Sequence, residues 1–149
     1  MRVTLVGAGN MGRGIATRVL AGGHEVEIVD RDADTETWDG LATPAGTSSA
    51  EEVAELVPEG TAVVKAFNTT FAPTLIAGEV AGQKLDVLIA GDDDSAKRTV
   101  ARLVSDGGLR PLDVGPLRRA RQLEQIGFLH IAIQQPLDLG FASAIKLHP

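Results

Sequence analysis

The sequence predicts an α/β fold, and three observations carry that prediction. A short aliphatic strand, Val3-Thr4-Leu5-Val6, runs straight into Gly7-Ala8-Gly9-Asn10-Met11-Gly12. A helical pattern follows, with Met11, Ile15 and Val19 on one face, and Gly22-Gly23 supplies its stop. Beyond the stop, His24-Glu25-Val26-Glu27-Ile28-Val29-Asp30 alternates as a second strand ending on an acid. Strand, glycine turn, helix and strand in that order make a parallel βαβ unit. The class is therefore α/β, a shortened Rossmann-like, mostly parallel sheet flanked by helices, with a helical C-terminal segment.

Each part of the first unit has a physical task. Gly7 permits the tight turn, Gly9 lets a pyrophosphate approach without a Cβ in the way, and Gly12 lets the helix lie close on the strand. Free N–H groups at the helix start, with the dipole behind them, hold phosphates. Asp30 lies eighteen positions past Gly12, near the spacing of a ribose-binding carboxylate. The plain alternative is a glycine-rich βα turn in a fold without its ligand.

Composition bounds the rest. A chain of 149 residues is one domain with one sizeable core. Its hydrophobic share of 44% and charged share of 23% are ordinary globular values. A net charge of −6 argues against a nucleic-acid surface. Without cysteine there is neither a disulfide scaffold nor a thiolate site. No apolar run has the length of a membrane span, and Met1-Arg2 leads directly into a strand, so a cytoplasmic protein is expected.

After Asp30 the pattern lapses. Residues 31–47 read as loop, with Trp38 and Leu41 as the large apolar anchors, where a dinucleotide half-fold needs a crossover helix and a third strand. Order returns at Ser48-Ser49, either of which can cap a helix with Glu51 or Glu52 three residues on. That helix buries Val53, Ala54, Leu56 and Val57 and ends before Pro58. Thr61 to Phe67 reads as a strand, and Asn68, Thr69 and Thr70 follow at its carboxyl end, where ligands sit in open α/β sheets. These three residues either face a substrate or satisfy their own backbone as turn formers.

A short helix over Leu75–Val80 and a strand over Leu85–Ala90 come next. Asp92-Asp93-Asp94 reads as a capping, dipole-complementing start to a helix over Ser95–Asp106, and no metal spacing recurs. Lys97, Arg98 and Arg102 form its wet face. Leu109–Val114 is a last strand that Pro111 confines to an edge. From Leu117 to Gln135 a helix starts basic (Arg118, Arg119, Arg121) and turns apolar on every side over Ile126–Ile133. With the apolar residues after Pro136, this surface implies a homodimer. His130 packs within it, His24 and His148 are structural or solvated, and no residue stands out as a catalytic acid, base or nucleophile.

Gly-Ala-Gly-Asn-Met-Gly (7–12), Val-Val-Lys-Ala-Phe-Asn-Thr-Thr-Phe-Ala (63–72), Ala-Gly-Asp-Asp-Asp (90–94) and Leu-Arg-Pro-Leu-Asp-Val-Gly-Pro-Leu (109–117) together resemble the NADP oxidoreductases that use coenzyme F420. The resemblance covers nearly the whole chain. It implies a Rossmann-fold homo-oligomer that passes hydride between NADP or NAD and a deazaflavin or flavin-like acceptor, without a protein acid or base. It gives Gly7, Gly9, Asn10, Met11 and Gly12 to the dinucleotide phosphates, and puts Asp30 and Arg31 beside the adenosine ribose. Asn68 and Thr69 fall near the acceptor, with Asn68 where F420-using relatives carry a histidine. Asp30 is a carboxylate where NADP users tend to avoid one, and Arg31 can pair with the 2′-phosphate.

Members of the family are longer, and the missing part falls between Asp32 and Asp34. The reading is thus one shortened NAD(P)-binding domain: 1–32 the first βαβ unit, 33–49 a loop, 50–116 a second α/β half, 117–149 a helical oligomerisation segment. The absent middle leaves a bare strand flank beside the first strand, which favours a dimer with exchanged strands. Two functions follow: a hydride-transferring oxidoreductase, or a non-catalytic nucleotide-binding or assembly module derived from the same family.

Overall fold

The structure is a computed structural model that describes residues 1–6, 9–29 and 44–148. Two parallel βαβ units form its frame. In the first, β1 (Arg2–Val6) pairs in parallel with β2 (Glu25–Val29), and α1 (Asn10–Ala21) connects them. After α2 (Ser49–Leu56), β3 (Val64–Lys65) and α3 (Ala72–Ala77), a small hairpin joins β4 (Glu79–Val80) to β5 (Gln83–Lys84). The second unit then runs β6 (Asp86–Gly91), α4 (Asp94–Asp106), β7 (Arg110–Gly115), again parallel. A 3-10 turn over Leu117–Arg119 leads into α5 (Ala120–Ala132).

The α/β class with parallel strands and flanking helices is as expected, with local differences. The strand expected over 61–67 shrinks to Val64–Lys65 and runs antiparallel to β6. The helix expected over 75–80 lies at Ala72–Ala77, because Gly78 at φ 83 ends it. The hairpin after it turns on Ala81 and Gly82, both at positive φ, a pair unlike the Asn-Gly that would have flagged it. The C-terminal helix starts three residues late and ends at Ala132; beyond it the chain forms turns and an irregular strap, so the segment 117–149 is helical only in its first part. Lys97, expected on the wet face of α4, is buried, because Asp94 and Asp113 draw its ammonium in at 3.1 and 2.9 Å.

The core gathers Leu75, Leu85, Val87, Ile89, Val104 and Leu109, with Met11 and Ile15 of α1 packed against it. Every residue of β6 is buried, as a strand covered on both faces must be. In β2, by contrast, Ile28 and Val29 stay exposed. Among the described residues β1 and β2 pair only with each other, and the remaining sheet has the order β3-β6-β7 with β7 at its edge. The two sheets are held together by α1 rather than by strand pairing. A Cβ at Gly14 would stand 3.3 Å from the Ala72 Cα, and one at Gly22 would stand 2.8 Å from the Asp106 carbonyl carbon. Gly107 returns the contact, 2.8 Å from the Arg18 carbonyl oxygen. The glycine stops of α1 and α4 thus also let those helices touch.

Charge pairs fix the periphery. Asp86, buried at the start of β6, accepts bonds from Arg110, Lys146 and the Leu147 N–H, which fasten the C-terminal strap. Burial pushes its carboxyl up, but the Arg110 and Lys146 bonds outweigh burial and hold it at about 2. Ser48 caps α2 and bonds Glu51, whose carboxylate also takes a two-point bond from Arg121. That pairing offsets one of the basic residues at the start of α5.

Candidate functional site

The site begins at the end of β1. Gly7, Ala8, Asp30, Arg31, Asp32, Trp38 and Leu41 lie outside the described residues, so the expectations resting on them stay expectations. Gly9 is the N-cap of α1, extended at φ −61 and ψ 179, with no side chain bonding the helix start and no acid in the first turn. The first helical bond runs from the Arg13 N–H to the Gly9 carbonyl at 3.0 Å. Asn10 is exposed, Met11 and Gly12 are half-buried, and Met11 turns its side chain to the core. A Cβ built on Gly9 would meet nothing within 4 Å among the described residues. An N-terminus without a cap, led by a residue without a side chain and open to its surroundings, fits a phosphate group.

The second segment is the turn after β3. Phe67 takes a left-handed φ of 66, unfavourable for a bulky residue, and the Thr70 N–H and hydroxyl both donate to its carbonyl at 3.0 and 2.7 Å. Thr70 therefore serves the turn, and Thr69 beside it is buried. The Asn68 Nδ2 donates to the Leu123 carbonyl in α5 at 2.7 Å. Its Oδ1 is buried with no partner among the described residues. Phe71 closes the turn and opens α3, its backbone exchanging bonds with the Thr74 hydroxyl. The glycine turn and this segment adjoin, since Gly14, one turn into α1, abuts Ala72, the first residue of α3.

Sequence reasoning missed what supports the second segment. Leu123, Gly127 and His130 recur at helical spacing on the inner face of α5 and are all buried. His130 lays its ring on Phe71 with centroids 4.3 Å apart, and its Nε2 meets the Ser143 hydroxyl at 2.9 Å. Burial favours the neutral ring and pushes its pKa down, against the opposing pull of the Thr69 backbone bond. Gln134 binds the His130 carbonyl, the Ser143 hydroxyl and the Phe141 N–H, fixing the strap there. The signal available beforehand was a lone glycine, Gly127, inside an apolar helical run.

Other polar groups are committed elsewhere. Lys65 and Glu124 pair at 3.0 Å, and Glu124 also accepts the Ser49 and Ala50 N–H groups at the start of α2. A depression of about 410 Å³ beside them, lined in part by Thr47, Arg121 and Gln125, therefore offers no uncommitted charge from Arg121 or Glu124. Asp93 caps α4 through the Ala96 N–H at 2.7 Å and Asp92 accepts the Leu117 N–H at 2.9 Å, so these acids serve as caps. Among the described residues no group of three or more side chains could hold a metal, and no helix is long and apolar enough to cross a membrane.

With this geometry in hand, comparison with known proteins is informative. The family described as NADP oxidoreductase, coenzyme F420-dependent, matches residues 2–90. The metalloreductase STEAP3 of Rattus norvegicus is 47% identical over 79 residues, which is 53% of this chain but only 16% of that protein. Among solved structures, a protein of Arthrobacter sp. FB24, provisionally named an F420-dependent NADP-reductase, superposes with a TM-score of 0.75 at 22% identity, covering 98% of both chains. A hypothetical protein of Sinorhizobium meliloti, SMa0349, superposes with a TM-score of 0.59 at 26% identity, over 76% of this chain and 84% of its own. The two structures share the fold.

Proposed function

Since the chain belongs to the family of coenzyme F420-dependent NADP oxidoreductases, we propose that it moves hydride between a nicotinamide dinucleotide and a deazaflavin or flavin-like acceptor. The observation that carries this reading is the start of α1, where Gly9 leads a helix with no side-chain cap. Backbone N–H groups of Asn10, Met11 and Gly12 take the dinucleotide phosphates, with Gly7 and Gly9 giving them room. Asp30 and Arg31 stand beside the adenosine ribose, and Arg31 pairs with a 2′-phosphate when the cofactor is NADP. Asn68 borders the acceptor, and Thr69 and Thr70 are buried behind it, Thr70 holding the turn. The dinucleotide supplies the hydride; the chain's own task is to hold the two rings together and exclude water, and no protein acid or base is required.

Among the described residues β1 and β2 pair only with each other and Phe128, Leu129 and Leu137 are exposed, which supports a homodimer with strands exchanged between copies. The division into β1–β2 and β3-β6-β7 favours a second reading, a nucleotide-binding or assembly module without catalysis. One experiment separates them. Titration with NADPH and NADH, followed by fluorescence alongside the oligomeric state, is expected to show micromolar binding, and F420 or a flavin then added to the NADPH complex is expected to be reduced. No binding of either at millimolar concentration overturns the enzyme, and binding without reduction of F420 or flavins selects the module.

A further inference from the structure

We propose that α5 is the positioning element of the Asn68–Phe71 turn, and that Gly127 sets the clearance on which acceptor binding depends. This rests on the acceptor reading given above. Successive turns of the α5 inner face each meet a part of that segment. The Leu123 carbonyl receives the Asn68 amide at 2.7 Å, Gly127 faces the Asn68 backbone, and His130 lies on Phe71. A Cβ at Gly127 would stand 2.7 Å from the Asn68 carbonyl oxygen and 2.9 Å from its Nδ2. Neither atom can step aside cheaply, because one is backbone and the other is already bonded.

The far side of the turn is equally constrained. Phe67 sits in the left-handed region, and Thr70 binds its carbonyl twice. The left-handed Phe67 disfavours this conformation in isolation, so the turn needs an outside support. A glycine inside a helix is unfavourable relative to alanine. At position 127 the room it leaves is filled by Asn68. Leu123 and Gly127 therefore act on a ligand through Asn68, and His130 through Phe71.

The test uses the full chain, with ¹H–¹⁵N NMR spectra and separate titrations with NADPH, F420 and FMN. In Gly127→Ala the side-chain amide of Asn68 and the backbone amides of 67–71 are expected to shift while those of 9–12 hold. Affinity for F420 or FMN falls at least tenfold and affinity for NADPH stays within twofold. Unchanged 67–71 amides, or an equal loss of NADPH and acceptor affinity, overturn the proposal. Should Gly127→Ala fail to fold, His130→Leu, which withdraws the ring from Phe71 without touching Asn68, is read by the same amides and titrations and decides in the same way. If the wild-type chain binds NADPH but neither acceptor, the acceptor reading and the functional half of this proposal fall together. The amide shifts still decide whether Gly127 sets the turn.

Discussion

The two βαβ units are built alike and used differently. In each, a helix of similar length joins a parallel pair of strands, and the first register position holds a charge pair: Arg2 opposite Glu25, and Asp86 opposite Arg110. In the second unit β6 is wholly buried, the Asp86 carboxylate is sealed, and Asp93 closes the start of α4. In the first, the charge pair is exposed, Ile28 and Val29 face outward, and Gly9 leaves α1 open. A helix N-terminus is satisfied by its own chain, by water or by a ligand; α4 is capped by its own Asp93, while α1 has no side-chain cap among the described residues.

Substitutions at matched positions can break this contrast. The largest effect is expected in the strands. Ile89→Ala in β6, 1% exposed, should cost about 2–5 kcal/mol in urea unfolding. Ile28→Ala in β2, 45% exposed, should cost within about 0.5 kcal/mol. Equal costs would mean that β2 is covered in solution, as an exchanged strand would cover it.

The charge pairs come next. Arg110→Ala leaves a buried carboxylate with Lys146 as its remaining cation and should cost about 3 kcal/mol, whereas Arg2→Ala should cost less than about 1 kcal/mol. The same cluster sets an acid limit. Asp86 titrates at about 2 when folded against an ordinary 3.8, so its contribution is complete above about pH 4 and is lost as pH falls through about 2. Asp86→Asn should flatten the acid limb of stability in that window; an unchanged limb would show that other carboxylates set it.

The helix starts give the smallest effects and the sharpest division. Gly9→Ala has room for its Cβ among the described residues and an ordinary φ, so stability should hold. NADPH affinity should fall at least tenfold, about 1.4 kcal/mol. Asp93→Ala should do the reverse, losing about 1 kcal/mol of stability and no affinity. If both variants lose stability alone, α1 opens on solvent rather than on a ligand.

What was legible beforehand follows from range. Both strand–helix–strand patterns, a serine cap at 48 or 49, an acidic cap among 92–94 and the edge position of Pro111 rest on local periodicity and local hydrogen bonds, and these were readable. The structure puts the caps at Ser48 and Asp93. The burial of Lys97 depends on Asp113, a residue on another element, so a local pattern placed it in water. Among the described residues β3 pairs only with Ala90 and Gly91 of β6, a non-local register that no local pattern sets. The Asn68 turn was read from its position at a strand end. Its dependence on α5 spans 55 residues and left one trace, the glycine at 127.

The attachment of the strap to Asp86 has a consequence in time. Arg110 follows Asp86 by 24 residues and Lys146 by 60. At roughly 5–20 residues per second, a ribosome adds the second cation about 3–12 s after the acid it will meet. During that interval β6 can pair with β7, but the seal over its first residue is unfinished. The strap, made well after β6, is the stretch that closes it.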